Sequence, residues 1–235
     1  MPIYRMAGLN VKIEPKYDKL RQYAEKYLYT DDVSENVIEL FLSEDFIENK
    51  KREVPYLSLE DIEYIYTGAM FAKKLLNCNG FMLHSSAVAY DGNAYLFSAA
   101  SGTGKSTHTG FWQKVFGEDK AIIINDDKPA IRDLNGRYCA CGTAFSGKTP
   151  MSANVQVPVK AVCFIHRSEN DEIRKLEPSE ALELIFEQTL WKGSGAFVGM
   201  VLSVLDDFLK KVPCYSVGVT YSESSARFVY NALNK

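Results

Sequence analysis

Residues 101–106 read Ser-Gly-Thr-Gly-Lys-Ser, a spacing suited to holding a polyphosphate. Gly102 and Gly104 can adopt positive φ and turn backbone amides toward an anion. Lys105 supplies a point charge between the outer phosphates, and Ser106 a hydroxyl for magnesium. A helix beginning there would add partial positive charge at its N-terminus. From Ala99 through Thr107 the chain fits most of the Walker A pattern, with Ala99 where the strict pattern has Gly. That change constrains the loop entrance and leaves the anion-binding groups in place. The expected nucleotide-binding residues are Ser101, Gly102, Thr103, Gly104, Lys105, Ser106 and Thr107.

About twenty residues on, Ile122-Ile123-Ile124-Asn125 runs into Asp126-Asp127. A phosphate loop needs a carboxylate at a neighbouring strand end to hold magnesium. Two adjacent carboxylates can divide labour, one on the metal and one accepting a proton from an attacking hydroxyl. The same pair at a loop tip could equally be solvated charge. His84 sits in the strand before the loop strand, and a hairpin would fold it back beside the loop. There it suits a proton carrier or a phosphate contact, or a hydrogen-bonded core histidine. His108, in the first turn after the loop, reads as a packing residue, and His166 as surface. Gly142–Lys148 has glycine near both ends, hydroxyls at Thr143 and Ser146, and Lys148. It suits a second anion, such as a substrate phosphate, or a plain surface turn. Lys128 is a weaker candidate for the same charge neutralisation.

Five cysteines follow no framework spacing. Cys139 and Cys141 would share one face of a strand, and further metal ligands are missing nearby. Reduced thiols buried in a cytosolic protein are the expectation.

The elements that must position these residues alternate in type. Ile3–Tyr4 and Val11–Glu14 read as short strands around Gly8, Tyr17–Tyr29 as a helix and Val37–Leu42 as a strand. Ser58 opens a helix, with Asp61 as capping-box partner. Its apolar face comprises Ile62, Ile65, Ala69, Ala72, Leu75 and Leu76, and Gly80 ends it. Phe81–Tyr90 and Asn93–Ser98 flank Asp91-Gly92, the strongest short hairpin signal. Ser106–Phe116 reads as a helix stopped at Gly117, and Ala121–Asn125 as a strand. Pro129–Arg132 and Arg137–Cys141 form a second hairpin through Asn135-Gly136. Val159–His166, Ile173–Leu176 and Tyr215–Thr220 read as strands. Glu180–Trp191, Val198–Lys211 and Ser224–Leu233 read as helices. The expected fold is α/β with a mixed, partly antiparallel sheet and flanking helices. A single domain is expected over 1–235, with 1–80 an accessory N-terminal layer and 81–235 the phosphate-loop core.

Composition is ordinary for a globular protein: of 235 residues, 46% are apolar and 24% charged. No apolar run is long enough to span a bilayer. Met1–Asn10 lacks the apolar stretch and cleavage site of a secretory leader, so a cytoplasmic location is expected. The net charge of −3 excludes the broad basic surface that nucleic-acid backbones demand. Residues 1–80 hold 11 basic and 14 acidic residues against 16 of each in 81–235, so the excess lies in the first part. The one basic run, Lys50-Lys51-Arg52, is flanked by Glu48 and Glu53 and reads as a solvated loop.

His84, the Asp91-Gly92 hairpin, Ser101–Ser106 and Asp126-Asp127 together resemble the catalytic domain of HPr kinase/phosphorylase. Phe81 to Arg132 carries nearly all of the likeness. That fold is related to phosphoenolpyruvate carboxykinase, whose phosphate loop also lies in a mixed sheet. The whole chain resembles shorter HPr-kinase-like, or SerK-like, proteins. The shared runs are Leu83-His84-Ser85-Ser86-Ala87-Val88, Asn125-Asp126-Asp127-Lys128-Pro129-Ala130, and Gly142-Thr143 with Ser146-Gly147-Lys148. The resemblance implies ATP and Mg2+ as cofactors, with Lys105 and Ser106 on phosphates and magnesium. It implies Asp126 as general base toward a serine hydroxyl, Asp127 as the metal-side carboxylate, and His84 in the phosphate site. It also suggests assembly into a homo-oligomer. The Pro-Gly-Arg-Asn signature of HPr kinases is absent, since Pro158-Val159-Lys160 runs straight into Ala161-Val162, so the reverse reaction is not implied. The expected activity is an ATP/Mg-dependent kinase acting on a peptide or protein hydroxyl, serine first. The rivals are a nucleotide-binding regulatory or accessory module, and a simple ATPase.

Overall fold

Two sheets arise from the apolar runs and turn pairs of this chain in the computed structural model, which describes residues 2–31, 37–189 and 193–235. β1 (Ile3–Met6) and β2 (Leu9–Ile13) form a hairpin across Ala7-Gly8, both at positive φ. β3 (Leu28–Tyr29) joins the β1 edge and β4 (Val37–Leu40) joins β2 in parallel, giving the order β3-β1-β2-β4. The helix expected through Tyr29 ends early. α1 spans Asp18–Ala24, a 3-10 turn covers Glu25–Tyr27, and the chain then enters β3. Pairing of Leu28 and Tyr29 with Tyr4 and Ile3, beside a fully buried Tyr27, outweighs continuation of the helix.

The basic run 50–52 is not a loop. It forms the last turn of α2 (Glu44–Glu53), whose first turn holds Glu44 and Asp45 and whose N-cap Ser43 accepts from the Phe46 amide. Acid at the start and base at the end complement the helix dipole. α3 (Leu59–Leu76) is capped by Ser58, which accepts from the Asp61 amide. The capping box is not reciprocal, because the Asp61 carboxylate accepts from the Ser58 hydroxyl and from the Lys19 ammonium. The helix stops at Leu76, and Gly80 opens the next strand rather than ending the helix. Of the expected apolar face, Ile62, Ala72, Leu75 and Leu76 are buried, whereas Ile65 is 45% exposed.

The expected strand 81–90 is broken at Leu83-His84. β5 (Gly80–Met82) pairs with β9 (Ala130–Leu134), while β6 (Ser85–Tyr90) turns through Asp91-Gly92 into β7 (Asn93–Ser98). Different partners on the two sides require the chain to change position in the sheet. β8 (Ile122–Asn125) lies antiparallel on the other side of β6. β10 (Arg137–Cys141) closes the second expected hairpin with β9. β11 (Gln156–Arg167) begins antiparallel to β10 and continues parallel to both β7 and β13 (Cys214–Val219). β12 (Glu172–Lys175) edges β13. The result is a nine-stranded mixed sheet among the described residues, ordered β5-β9-β10-β11-β7-β6-β8 with β13 and β12 branching from β11.

Alternation along β7 shows how this sheet is covered. Tyr95 and Phe97 pack with Trp112 of α4 (Lys105–Phe116) and Val229 of α7 (Glu223–Leu233). Ala94 and Leu96 join Ile185 of α5 (Pro178–Glu187) and Phe208 of α6 (Gly195–Lys211) on the opposite face. α5 begins two residues earlier than expected, and the Trp191 end of the expected helix lies outside the described residues. The N-terminal elements share a core with the second sheet, where Met6, Tyr27 and Phe71 pack with Cys141 and Phe145. The chain is thus α/β, with mixed and partly antiparallel sheets and flanking helices. No helix among the described residues is long and apolar enough to cross a membrane.

Candidate functional site

Register brings the candidate residues to one end of β7. Antiparallel pairing sets Ser85 opposite Ser98, so His84 lies where β7 gives way to the 99–104 loop. The Ser98 hydroxyl donates to the His84 carbonyl at 2.9 Å and fixes that junction. Ala87 pairs with Asn125, which carries Asp126 and Asp127 past Ser86 and Ser85 to the same end. The Ser85 amide donates to the Asp127 carbonyl at 3.0 Å.

The loop itself bends through Gly102 at φ 81° and Gly104 at φ 108°, and α4 starts at Lys105. A Cβ on Gly102 would meet nothing within 4 Å, so the loop crest faces open space. A Cβ on Gly104 would instead run into the ring of Tyr221. The Tyr221 hydroxyl donates to the Thr103 carbonyl, and Arg167 lies over its ring at 5.4 Å. Tyr221 is at φ 53°, a conformation bulky residues rarely adopt, so a strained residue braces the loop from the β13–α7 junction. Lys105 is only 7% exposed, and its ammonium donates to the Ala99 and Ala100 carbonyls at 2.9 and 3.3 Å. Burial lowers its pKa, while the charges of Asp127 and Asp126 act to raise it.

The two aspartates face different neighbours. Asp126 Oδ1 accepts from the Ser86 hydroxyl at 2.6 Å, and Ser86 lies 2.8 Å from the hydroxyl of Thr109 on α4. Asp126 is thereby tied to the helix that follows the loop. Asp127 Oδ1 lies 3.6 Å from His84 Nε2. Asn125 shapes the turn between them: its side-chain oxygen accepts from the Asp127 and Lys128 amides, and its amide group donates to Thr143. His84 is held by Gln188 at the end of α5. The His84 amide donates to the Gln188 carbonyl, and Nδ1 donates to Gln188 Oε1 at 2.9 Å. This turns Nε2 toward Asp127. Burial depresses the His84 pKa, the Gln188 bond counters this, Lys105 depresses it further and Asp127 raises it.

Lys128 is exposed beside Asp127. The Gly142–Lys148 segment is largely buried up to Ser146 rather than a surface turn. The Ser146 hydroxyl donates to the Thr149 carbonyl, and the Gly147 amide donates to the Tyr64 hydroxyl. Gly147, at φ 86°, packs against Asp127, whose Cβ would lie 2.7 Å from a Cβ placed there. The segment buttresses Asp127, while Lys148 points to the exposed surface. His108 is fully buried against Phe97 and accepts from the Trp112 indole at 3.3 Å. His166 is exposed, 3.5 Å from Glu172. Four of the cysteines are buried, and burial pushes the Cys141 and Cys214 thiols up to about 12. No trio of His, Cys, Asp or Glu among the described residues is grouped to hold a metal without other ligands.

A cavity of about 430 Å³ opens next to His84 and Asp127, on the side of α3 and α5. Tyr64, Ala69, Ala72, Met82 and Phe145 give it apolar walls. Lys128, Glu187 and Gln188 add polar groups to its lining.

Thr109, Gln188, Tyr221 and Tyr64 carry no motif signal, because the fold alone brings them here; Ser86 lies in the shared 83–88 run, but nothing there marks it as the partner of Asp126. Asn125 was read only as a strand end, although an Asn before a turn is an Asx-turn signal.

Residues 51–224 match the family described as SynChlorMet cassette protein ScmC, and the chain belongs to that family. No curated protein sequence matches it. Among solved structures, the HPr(Ser) kinase/phosphatase from Coxiella burnetii aligns with a TM-score of 0.39 and 12% identity. That alignment covers 66% of this chain and 99% of the Coxiella chain.

Proposed function

We propose that the chain is an ATP- and magnesium-dependent kinase that phosphorylates a hydroxyl, serine first, on a peptide or protein. The observation that carries this reading is convergence: a glycine loop with a buried lysine, two aspartates and a histidine meet at one strand end. The residues fit the nucleotide. The open crest at Gly102 leaves room for phosphate oxygens, and the α4 N-terminus lies directly behind it. Magnesium bound to a nucleotide needs only one or two carboxylates, with phosphate and water completing its shell. The absence of an all-protein cage among the described residues is consistent with that.

When bound, MgATP supplies the transferable phosphoryl group and an ion that offsets its charge. Lys105 neutralises negative charge at the loop, aided by amides of Gly104 through Ser106. Ser106 and the carboxylate tied to α4, Asp126, would hold the magnesium. Asp127 borders both His84 and the cavity, so it is the carboxylate better set to orient an acceptor hydroxyl and accept its proton. His84 Nε2 can then take that proton from Asp127 and release it to solvent. This division exchanges the duties of Asp126 and Asp127 implied by the HPr-kinase resemblance, and it rests on the Ser86–Thr109 linkage of Asp126.

Incubation with γ-labelled ATP and serine peptides tests the reading. Label on peptide is the expected result. Label released only as free phosphate would mark an ATPase, and label retained in ATP would mark a binding module.

A further inference from the structure

The cavity beside His84 and Asp127 has more apolar surface than a hydroxyl group needs. Its volume of about 430 Å³ falls in the range of small-ligand pockets and far exceeds a hydroxymethyl group. Its walls come from three separate parts of the chain: α3, Met82 and Phe145. The Tyr64 hydroxyl, the polar atom within those walls, already accepts from the Gly147 amide.

We propose that this cavity receives a bulky apolar side chain neighbouring the acceptor hydroxyl of a peptide, an inference that rests on the kinase reading above. Continuity supports it: Asp127 and His84 line the cavity and belong to the cluster at the end of β7, so one ligand can reach both. Apolar walls favour an apolar occupant, since burial removes its surface from water. Ile65, 45% exposed, also lines the cavity and extends its apolar surface outward, so a ligand can continue past the opening. A free hydroxy amino acid would leave most of the space unfilled.

The test uses the full chain with γ-labelled ATP and acetylated heptapeptides bearing a central serine. Its neighbours are Gly, Leu, Phe or Glu, and free serine is a further substrate. Fluorescein-tagged versions report binding by anisotropy without nucleotide. Leu- or Phe-flanked peptides should be labelled and bound about tenfold or more better than Gly-flanked ones. Ala69→Phe, which intrudes into the cavity, and Ile65→Ser, at an exposed position, should erase that preference and leave the heat of MgATP binding unchanged. Uniform labelling of all peptides, or equal labelling of free serine, would overturn the inference and leave the kinase reading standing. Selective binding erased by Ala69→Phe, without label transfer, would support the pocket and remove the kinase reading. No selectivity in either readout would overturn the pocket.

Discussion

Asp126 and Asp127 are adjacent in the chain, yet their neighbours differ enough to separate their variants. Asp126 is tied through Ser86 to Thr109 on α4, whereas Asp127 borders His84 and the cavity. Asp127→Asn should keep MgATP affinity and lose turnover by about 100-fold or more, the scale of general-base catalysis. Asp126→Asn should weaken nucleotide binding when magnesium is present and leave binding in EDTA little changed. Titration calorimetry with and without magnesium, beside single-turnover rates, separates the two. The opposite pattern would return the base role to Asp126. Gln188 is a positioning residue, since its Oε1 accepts from His84 Nδ1–H and counters the fall in the ring's pKa. Gln188→Leu should therefore lower kcat and move the acid limb of the pH–rate profile to lower pH. An unshifted limb would show that His84 carries no proton in the rate-limiting step.

At the scale of elements, the 99–104 loop depends on two glycines for different reasons. Gly102 needs only its positive φ, because a side chain there would meet open space. Gly104 needs both its φ and the room that the Tyr221 ring leaves. Gly102→Ala should cost about 1 kcal/mol of stability, the usual penalty for a left-handed non-glycine residue. Gly104→Ala should cost more and abolish nucleotide binding, because the loop must shift away from Tyr221. Equal effects in thermal melts and calorimetry would contradict the bracing role of Tyr221. The glycines were legible as motif residues, but the brace was not. Tyr221 lies more than a hundred residues downstream, and only the β13–α7 junction brings it back. α2 was illegible for another reason: with Ile47 its one buried residue, it has no apolar stripe to read. The break at Leu83-His84 was hidden because both halves of 80–90 are apolar and their change of partners is a tertiary fact. The Asp91-Gly92 and Asn135-Gly136 hairpins were legible, because each turn needs positive φ at both central residues and the chain supplies residues that tolerate it.

For the molecule as a whole, the layer between sheet and α4 contains a titratable group that favours neutral conditions. His108 is fully buried, Nε2 accepts from Trp112, and Nδ1 has no partner among the described residues. Burial lowers its pKa from the ordinary 6.5 to about 4. The unfolded chain therefore binds a proton that the folded chain does not as pH falls between those values. Stability should decline by roughly 3 kcal/mol over that window, and is fully present above it. Denaturant unfolding at pH 7.5, 5.5 and 4.5, against His108→Leu, checks the sign. The variant should lack this part of the acid loss, and parallel curves would contradict it.

The central claim is that the loop at the end of β7 binds a magnesium nucleotide through Lys105. Titration calorimetry of the intact chain with MgATP tests it most directly. The account predicts saturable heat at one site per chain, lost in a folded Lys105→Ala variant. No heat from well-folded protein, or equal heat from the variant, would contradict it.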